Sequence, residues 1–229
     1  MSAPTSLIML AGSRDLAPGA ANIAAVVSAL VADGAHLVTG CATGADAQVI
    51  RAALARGAPG AMALSVLAAH GPVSPSVPGS RYSAPGSWSG SALAAVAAAQ
   101  RAGASVSWWA GGGPDIALRA RLARRSLAAV RLVAASSLGS GLIAWPSRLP
   151  PYPFQAGPWP SCGSGTWASA AAAARLGVPV AVFPVGTLAG LPLVSWPALA
   201  AGGSWSPLTS GAFAGAALWS PPSSLDLFA

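Results

Sequence analysis

Residues 37–46 read LVTGCATGAD, an apolar run that leads through two glycines into an alanine-rich stretch. The same order occurs at residues 7–15, which read LIMLAGSRD. A buried strand, a tight glycine turn and a helix in this order are typical of parallel sheets, whose turns meet ligands at the carboxyl ends of the strands. These two segments therefore predict an α/β fold.

Short apolar runs alternate with alanine-rich segments along most of the chain. This alternation predicts a Rossmann-like three-layer αβα sandwich with a mostly parallel sheet. We expect strands at residues 7–11, 37–39, 61–67, 105–109, 130–134 and 178–183, and helices at residues 20–32, 45–55, 91–101, 116–128 and 168–176. Residues 71–90 and 136–161 are rich in turn-forming residues, so we expect two long loops near the ligand.

The charged residues are few and unbalanced in sign. All twelve basic residues are arginine, the acids are five aspartates, and the net charge is +7. Such a surface attracts phosphate-bearing partners more than cationic ones. The alternative is that the arginines only keep a small protein soluble.

The apolar composition, with a mean hydropathy of +0.60, raises the question of a membrane span. Residues 178–201 carry no charge, but their four prolines would remove backbone hydrogen bonds that lipid cannot replace. The start of the chain does not resemble a secretory signal, and the two cysteines lie too far apart for a zinc motif. We therefore expect a cytoplasmic protein without a membrane span or a metal site.

The first two glycine turns are candidates for binding a phosphorylated ligand. Arg14 can offer a bidentate guanidinium to a phosphate. Asp46 falls in the first turn of a predicted helix, where it either caps the helix and orients Arg14 or binds a ribose hydroxyl. The candidate residues of these two turns are Gly12, Ser13, Arg14, Gly40, Thr43, Gly44 and Asp46.

A third glycine turn opens the last predicted helix. Its candidate residues are Gly163, Ser164, Gly165 and Thr166, whose backbone N–H groups would form a nest for an anion. Trp167 follows directly and would either stack on a base or pack beside the alanine helix.

The densest positive charge lies between residues 115 and 131. Arg119, Arg121, Arg124 and Arg125 are the candidate nucleic-acid-binding residues, since a helix places three of them in one stripe that suits a phosphate backbone. Trp108 and Trp109 could add a stacking platform. A solvated helix face is the alternative.

The first two turns, LAGSRD at residues 10–15 and VTGCATGADA at residues 38–47, resemble the SLOG superfamily. The likeness is closest to its YspA-like branch and more distant to DNA processing protein A (DprA). Residues 163–167, 177–180 and 182–184 are similar to the closing unit of that superfamily. The resemblance covers residues 7–186 apart from the two loops, and it implies a Rossmann-like fold that binds nucleotides, their derivatives or nucleic acid.

The cytokinin-activating LOG enzymes of that superfamily carry a Pro-Gly-Gly-x-Gly-Thr-x-x-Glu motif, whose glutamate is important to glycosidic cleavage. The matching stretch here, residues 161–169, places Ser169 at the glutamate position, and the chain contains no glutamate at all. The resemblance therefore does not extend to LOG-like hydrolysis, and we lean towards a protein that is not an enzyme.

We divide the chain into a nucleotide-binding domain at residues 1–190, a proline- and tryptophan-rich wrap or dimer contact at 191–222, and an exposed tail at 223–229. The tail is similar to the peptide by which bacterial replication and repair proteins bind the sliding clamp. Its candidate contacts are Leu225, Asp226, Leu227 and Phe228, and an ordinary apolar tail is the alternative.

Two functions remain open at this point. The leading hypothesis is a binding protein of DNA metabolism, whose crevice holds a nucleotide or the end of a single strand of nucleic acid. The alternative is an enzyme or sensor for a small nucleotide, such as a base-ribose hydrolase or a second-messenger receptor. A bound nucleotide is the cofactor that the turns would suit, and a homodimer is the assembly that the resemblance suggests.

Overall fold

The computed structural model describes residues 6–19, 22–71, 90–136 and 139–220. Its strands form one eight-stranded sheet in the order β4-β3-β2-β1-β5-β6-β8-β7. The strands are β1 (Ser6–Gly12), β2 (Ala35–Thr39), β3 (Leu64–Leu67), β4 (Ser105–Ser107), β5 (Gly139–Trp145), β6 (Val180–Val182), β7 (Ser204–Pro207) and β8 (Ala217–Ser220). The first six are parallel, and β7 and β8 extend the sheet as antiparallel strands.

Helices cover both faces of this sheet. They are α1 (Ile23–Ala32), α2 (Ala45–Leu54), α3 (Ala58–Met62), α4 (Gly90–Arg101), α5 (Leu118–Ala134) and α6 (Gly165–Arg175). One apolar core joins α1, α2 and α4 to the sheet, and a second joins α5 and α6 to the opposite face. Along β1, Leu10 belongs to the first core while Met9 and Ala11 belong to the second, as the alternation of strand side chains requires. The predicted α/β three-layer sandwich is confirmed.

The course of the chain through the sheet creates a crevice beside β1. From β1 the chain moves outward through β2 and β3 to β4, then crosses to the other side of β1 and continues through β5 to β6. The strand order therefore reverses between β1 and β5, which are in register from Ser6 opposite Gly139 to Gly12 opposite Trp145. Open parallel sheets bind ligands at this kind of switch point, at the carboxyl ends of the strands.

The expected strand at residues 130–134 is wrong. These residues form the end of α5, where Ala129, Val130 and Val133 are buried at helical spacing against the sheet. The strand that follows is β5, which lies inside the expected loop at residues 136–161. β5 begins with Gly-Ser-Gly, and this weak β-forming start hid an otherwise buried strand.

Smaller differences occur at the other edge of the sheet. The expected strand at residues 61–67 is divided, because α3 occupies its beginning and only Leu64–Leu67 are extended. The expected strand at residues 105–109 ends at Ser107, and a turn that includes Trp109 at a φ of 56° follows. The expected loop at residues 71–90 lies, except for its two end residues, outside the described part of the chain.

The proline- and tryptophan-rich segment supplies the antiparallel edge of the sheet. β8 pairs with β6, placing Trp219 opposite Val180, and β7 pairs with β8. Trp196, Trp205 and Trp219 form a chain of edge-to-face contacts with 5.2 Å between neighbouring ring centroids. Residues 221–229, including the four candidate clamp contacts, lie outside the described residues. No helix of the described ranges is long and apolar enough to cross a bilayer.

Candidate functional site

A cleft of about 970 Å³ opens at the switch point between β1 and β5. Its walls come from the ends of these two strands, from α5, from the start of α6 and from residues 147–164 between β5 and α6. The polar and aromatic residues that line it include Ser13, Arg14, Asp15, Asp46, Arg119, Arg125, Ser147, Arg148, Tyr152, Gln155, Trp159, Ser164 and Thr166. Four arginines and two aspartates face this space, so the cleft carries a positive balance of charge.

The first glycine turn joins the ends of β1 and β5. The Ser13 N–H donates to the Trp145 carbonyl at 2.9 Å, and the Ser13 hydroxyl oxygen accepts from the Ser147 N–H, also at 2.9 Å. A side chain at Gly12 would overlap Ala45 of α2, so glycine is required for this close approach. Ser13 thus fixes the geometry of the cleft floor, while Arg14 is exposed at its rim.

The second glycine turn is divided between the cleft and the support of the first turn. Gly40 and Asp46 line the cleft, whereas Thr43 and Gly44 do not. The Thr43 hydroxyl donates to the Arg14 carbonyl at 3.0 Å. Gly44, at a φ of 70°, has no room for a side chain against the Ser13 and Arg14 carbonyls. The structure therefore places Thr43 and Gly44 behind the first turn, where they hold it in position.

A buried ion pair lies at the floor of the cleft. Arg125 Nη1 lies 3.6 Å from Asp46 Oδ2, and the side chains are 9 % and 7 % exposed. The Ala42 N–H donates to the same carboxylate oxygen at 3.0 Å. A Cβ atom at Gly40 would overlap both charged groups, so this glycine admits the Arg125 guanidinium. The ion-pair partner of Asp46 is therefore Arg125 of α5 and not Arg14, which the sequence had suggested.

Burial changes the proton affinity of the Asp46 carboxyl group in this ion pair. Burial raises the pKa of Asp46, and the nearby Arg125 guanidinium and the Ala42 N–H oppose that rise. The buried Nε of Arg125 has no hydrogen-bond partner among the described residues. Arg125 also lines the cleft, so its positive charge attracts an anion that enters there.

The third glycine turn presents the start of α6 to the cleft. Gly163 has a φ of 79°, and the Ser164 hydroxyl caps the helix by accepting from the Trp167 N–H at 3.4 Å. Gly165 and Thr166 line the cleft at the first positions of the helix. Backbone N–H groups at such positions lack intrahelical partners and carry partial positive charge. The start of α6 can therefore accept an anion.

Trp167 belongs to the core. It is 1 % exposed, its Nε1 donates to the Arg148 carbonyl at 2.7 Å, and its ring packs edge-on against Trp196. Of the two roles open from the sequence, the structure selects packing, and the hydrogen bond ties the loop after β5 to α6. The two thiols of the chain are also internal, since Cys41 and Cys162 are buried in separate cores and burial raises the pKa of each.

The arginines of α5 point in several directions. Arg119 and Arg125 line the cleft, while Arg124 is exposed outside it. Arg121 is buried, donates to the Ala69 carbonyl at 3.2 Å, and lies 5.2 Å above the ring of Trp109. The expected stripe of Arg121, Arg124 and Arg125 is therefore not an exposed one, since Arg121 and Arg125 are buried, and Trp109 packs on Arg121.

Several lining residues were not among the candidates drawn from the sequence. Arg148, Tyr152, Gln155 and Trp159 come from the segment expected to be a long loop, whose content of aromatic residues was the available signal. Ser169, at the position of the LOG glutamate, lines the cleft and donates its hydroxyl to the Gly165 carbonyl at 2.9 Å. Within the described ranges, no group of three His, Cys, Asp or Glu side chains is arranged to hold a metal ion.

No protein-family model, no curated protein and no solved structure matches the chain.

Proposed function

We propose that this chain is a nucleotide-binding protein whose cleft holds a phosphate group, either of a free nucleotide or at the end of a single strand of nucleic acid. The observation that carries the proposal is the position of the buried Arg125 in the same cleft as the start of α6, at the switch point of the sheet. A fixed guanidinium and unpartnered helix N–H groups are the donors that phosphate oxygens require.

The wider charge distribution supports a polyanionic ligand. Arg14, Arg119 and Arg148 surround the opening of the cleft, and the net charge of +7 draws phosphates towards it. The resemblance to the SLOG superfamily supports the same class of ligand. Cytoplasmic DNA metabolism is the setting that we propose, with the tail at residues 223–229 as the segment that would bind the sliding clamp.

The second candidate is an enzyme or sensor for a free small nucleotide, and the shape of the site favours this version. The loop after β5 forms one wall of the cleft, and Arg125 is buried at its floor. An extended strand of nucleic acid would instead contact the exposed Arg124 and Arg131 of α5, which lie outside the cleft. Hydrolysis of the nucleotide would release a base that chromatography detects, and we expect none because serine occupies position 169.

Two titrations test the proposal. Calorimetry with a nucleoside monophosphate reports binding in the cleft, and fluorescence anisotropy with labelled single-stranded DNA at low and physiological salt reports the strand. Arg148→Gln should weaken phosphate binding by about tenfold, the cost of one lost charge-assisted contact. Arg51→Gln, an exposed substitution outside the cleft, is the matched control and should change nothing.

The outcomes separate the versions of the proposal. If the monophosphate displaces a bound DNA strand, the end of the strand binds in the cleft. If the monophosphate binds and the strand does not, the small-nucleotide version is supported. If neither ligand binds at low salt, the proposed function is overturned.

A further inference from the structure

The segment between β5 and α6 is held in a defined conformation beside the cleft. The Tyr152 N–H donates to the Cys162 carbonyl at 3.2 Å, and the Gln155 N–H donates to the Ser161 carbonyl at 3.1 Å. Arg175 of α6 donates to the Gln155 and Gly157 carbonyls at 3.5 and 3.2 Å. These hydrogen bonds connect the two arms of the segment and attach its tip to α6. The backbone positions from which its side chains extend are therefore fixed.

Tyr152 occupies an unusual place for an aromatic side chain. It is 66 % exposed and is the one exposed aromatic ring of residues 6–19, 22–71, 90–136 and 139–220. A Cβ atom at Gly163 would lie only 3.0 Å from Cδ2 of Tyr152, so the ring rests directly on the turn that precedes α6. The ring therefore stands next to the proposed phosphate-binding turn and leaves most of its surface to the solvent.

Two further side chains complete the same wall. Trp159 lines the cleft and is half-buried against the second core, which fixes its position. Gln155 lines the cleft as well, and its side-chain amide offers both a donor and an acceptor. Flat rings beside an amide match the two properties of a nucleobase, which has an apolar face and a polar edge.

We infer that Tyr152 and Trp159 form a nucleobase subsite, in which a base stacks on the aromatic surface and presents its polar edge to Gln155. The inference rests on the proposed function, because the phosphate of the same nucleotide would bind at the start of α6 and Arg125. It assigns the base to the loop after β5, and it leaves Trp167, which is enclosed in the core, without a ligand contact.

Calorimetry with two ligands tests the subsite separately from the phosphate site. Adenosine monophosphate carries both phosphate and base, whereas ribose 5-phosphate carries the phosphate alone. Tyr152→Ala should weaken binding of adenosine monophosphate by about 5- to 150-fold, which corresponds to a stack of about 1–3 kcal/mol. Binding of ribose 5-phosphate should stay unchanged, and this also shows that the variant is folded.

Two controls separate stacking from a general surface effect. Tyr152→Phe keeps the ring and should bind adenosine monophosphate like the natural chain. Val194→Ala removes apolar surface from a side chain that is 94 % exposed and lies outside the cleft, so it should have no effect.

Each outcome decides a different claim. The base subsite is overturned if the natural chain binds the two ligands with equal affinity, or if Tyr152→Ala binds both of them as the natural chain does. Either result leaves the phosphate site standing. Failure of both ligands to bind overturns the subsite together with the small-nucleotide version of the proposed function, and it leaves strand binding to the anisotropy titration.

Discussion

Replacing Arg125 by methionine should destabilise the protein, and the loss should depend on pH. The change removes the cation that lies 3.6 Å from the Asp46 carboxylate while keeping much of the apolar stem. Asp46 would then be a buried carboxylate without its ion-pair partner, and it would keep the hydrogen bond from the Ala42 N–H and the weaker attraction of Arg14. Breaking such a pair on one side typically costs about 3–5 kcal/mol.

Protonation of Asp46 sets a ceiling on this cost. A carboxyl group with an ordinary pKa of about 3.9 needs about 4 kcal/mol to be protonated at pH 7, and about 1.5 kcal/mol at pH 5. The pKa of Asp46 is already raised by burial in the natural chain, so the true ceiling is lower at both pH values. We therefore expect a loss in the free energy of unfolding of about 2–3 kcal/mol at pH 7 and about 1 kcal/mol at pH 5.

The sign follows from linkage between protonation and folding. A carboxyl group whose pKa is raised on folding favours the native state at low pH and loses that advantage as the pH rises through its folded value. Urea unfolding of the natural chain and of Arg125→Met at the two pH values measures the effect. A second variant with both Asp46→Asn and Arg125→Met should lose the pH dependence, because asparagine keeps an oxygen for the Ala42 N–H but does not titrate. A penalty that is as large at pH 5 as at pH 7 would show that the unpaired Asp46 carboxyl is not its source.

Three further predictions concern stability and reactivity. Gly40→Ala should lower the free energy of unfolding by about 1–3 kcal/mol or more in urea titrations, because its methyl group would displace the Arg125 guanidinium; an unchanged midpoint would contradict this packing. Cys41 and Cys162 should react with a thiol reagent much more slowly in the native chain than in the urea-unfolded chain, since burial protects both thiols and raises their pKa values. Fast labelling of the native chain would show that one of the thiols is accessible. His36 is half-buried, and burial lowers its pKa below 6.5, so the stability of the protein should fall as the pH drops below that value. His36→Gln should flatten this pH dependence of the melting temperature, which thermal unfolding followed by circular dichroism measures. An unaltered slope would assign the effect to other groups.

Much of the fold could be predicted because glycine turns mark it. The turns at Gly12 and Gly40 each lie between a buried strand and a helix. At both places the local sequence pattern predicts the same strand, turn and helix that the parallel sheet contains. The error at α5 and β5 has a local cause. The end of α5 contains a valine-rich run that also suits a strand, while β5 begins with residues that favour turns. Only the pairing of β5 with β1 resolves this ambiguity, and that contact is not local in sequence.

The candidate site was predicted in outline, and its side-chain roles were not. Gly12, Ser13 and the start of α6 meet in one cleft as expected from parallel topology. The direction of each arginine on α5 depends on partners that come from distant segments, namely Asp46 for Arg125 and Trp109 for Arg121. Helical periodicity gives the angle between side chains but not which face meets the sheet.

The proposed binding of a nucleotide phosphate at the start of α6 can be followed by an amide chemical-shift titration in nuclear magnetic resonance. Addition of adenosine monophosphate to the isotope-labelled chain should move the amide signals of Gly165 and Thr166 furthest, with smaller shifts at the turn of Ser13 and no shift at Val194, which lies outside the cleft. Signals of Gly165 and Thr166 that stay in place at millimolar ligand would contradict the claim.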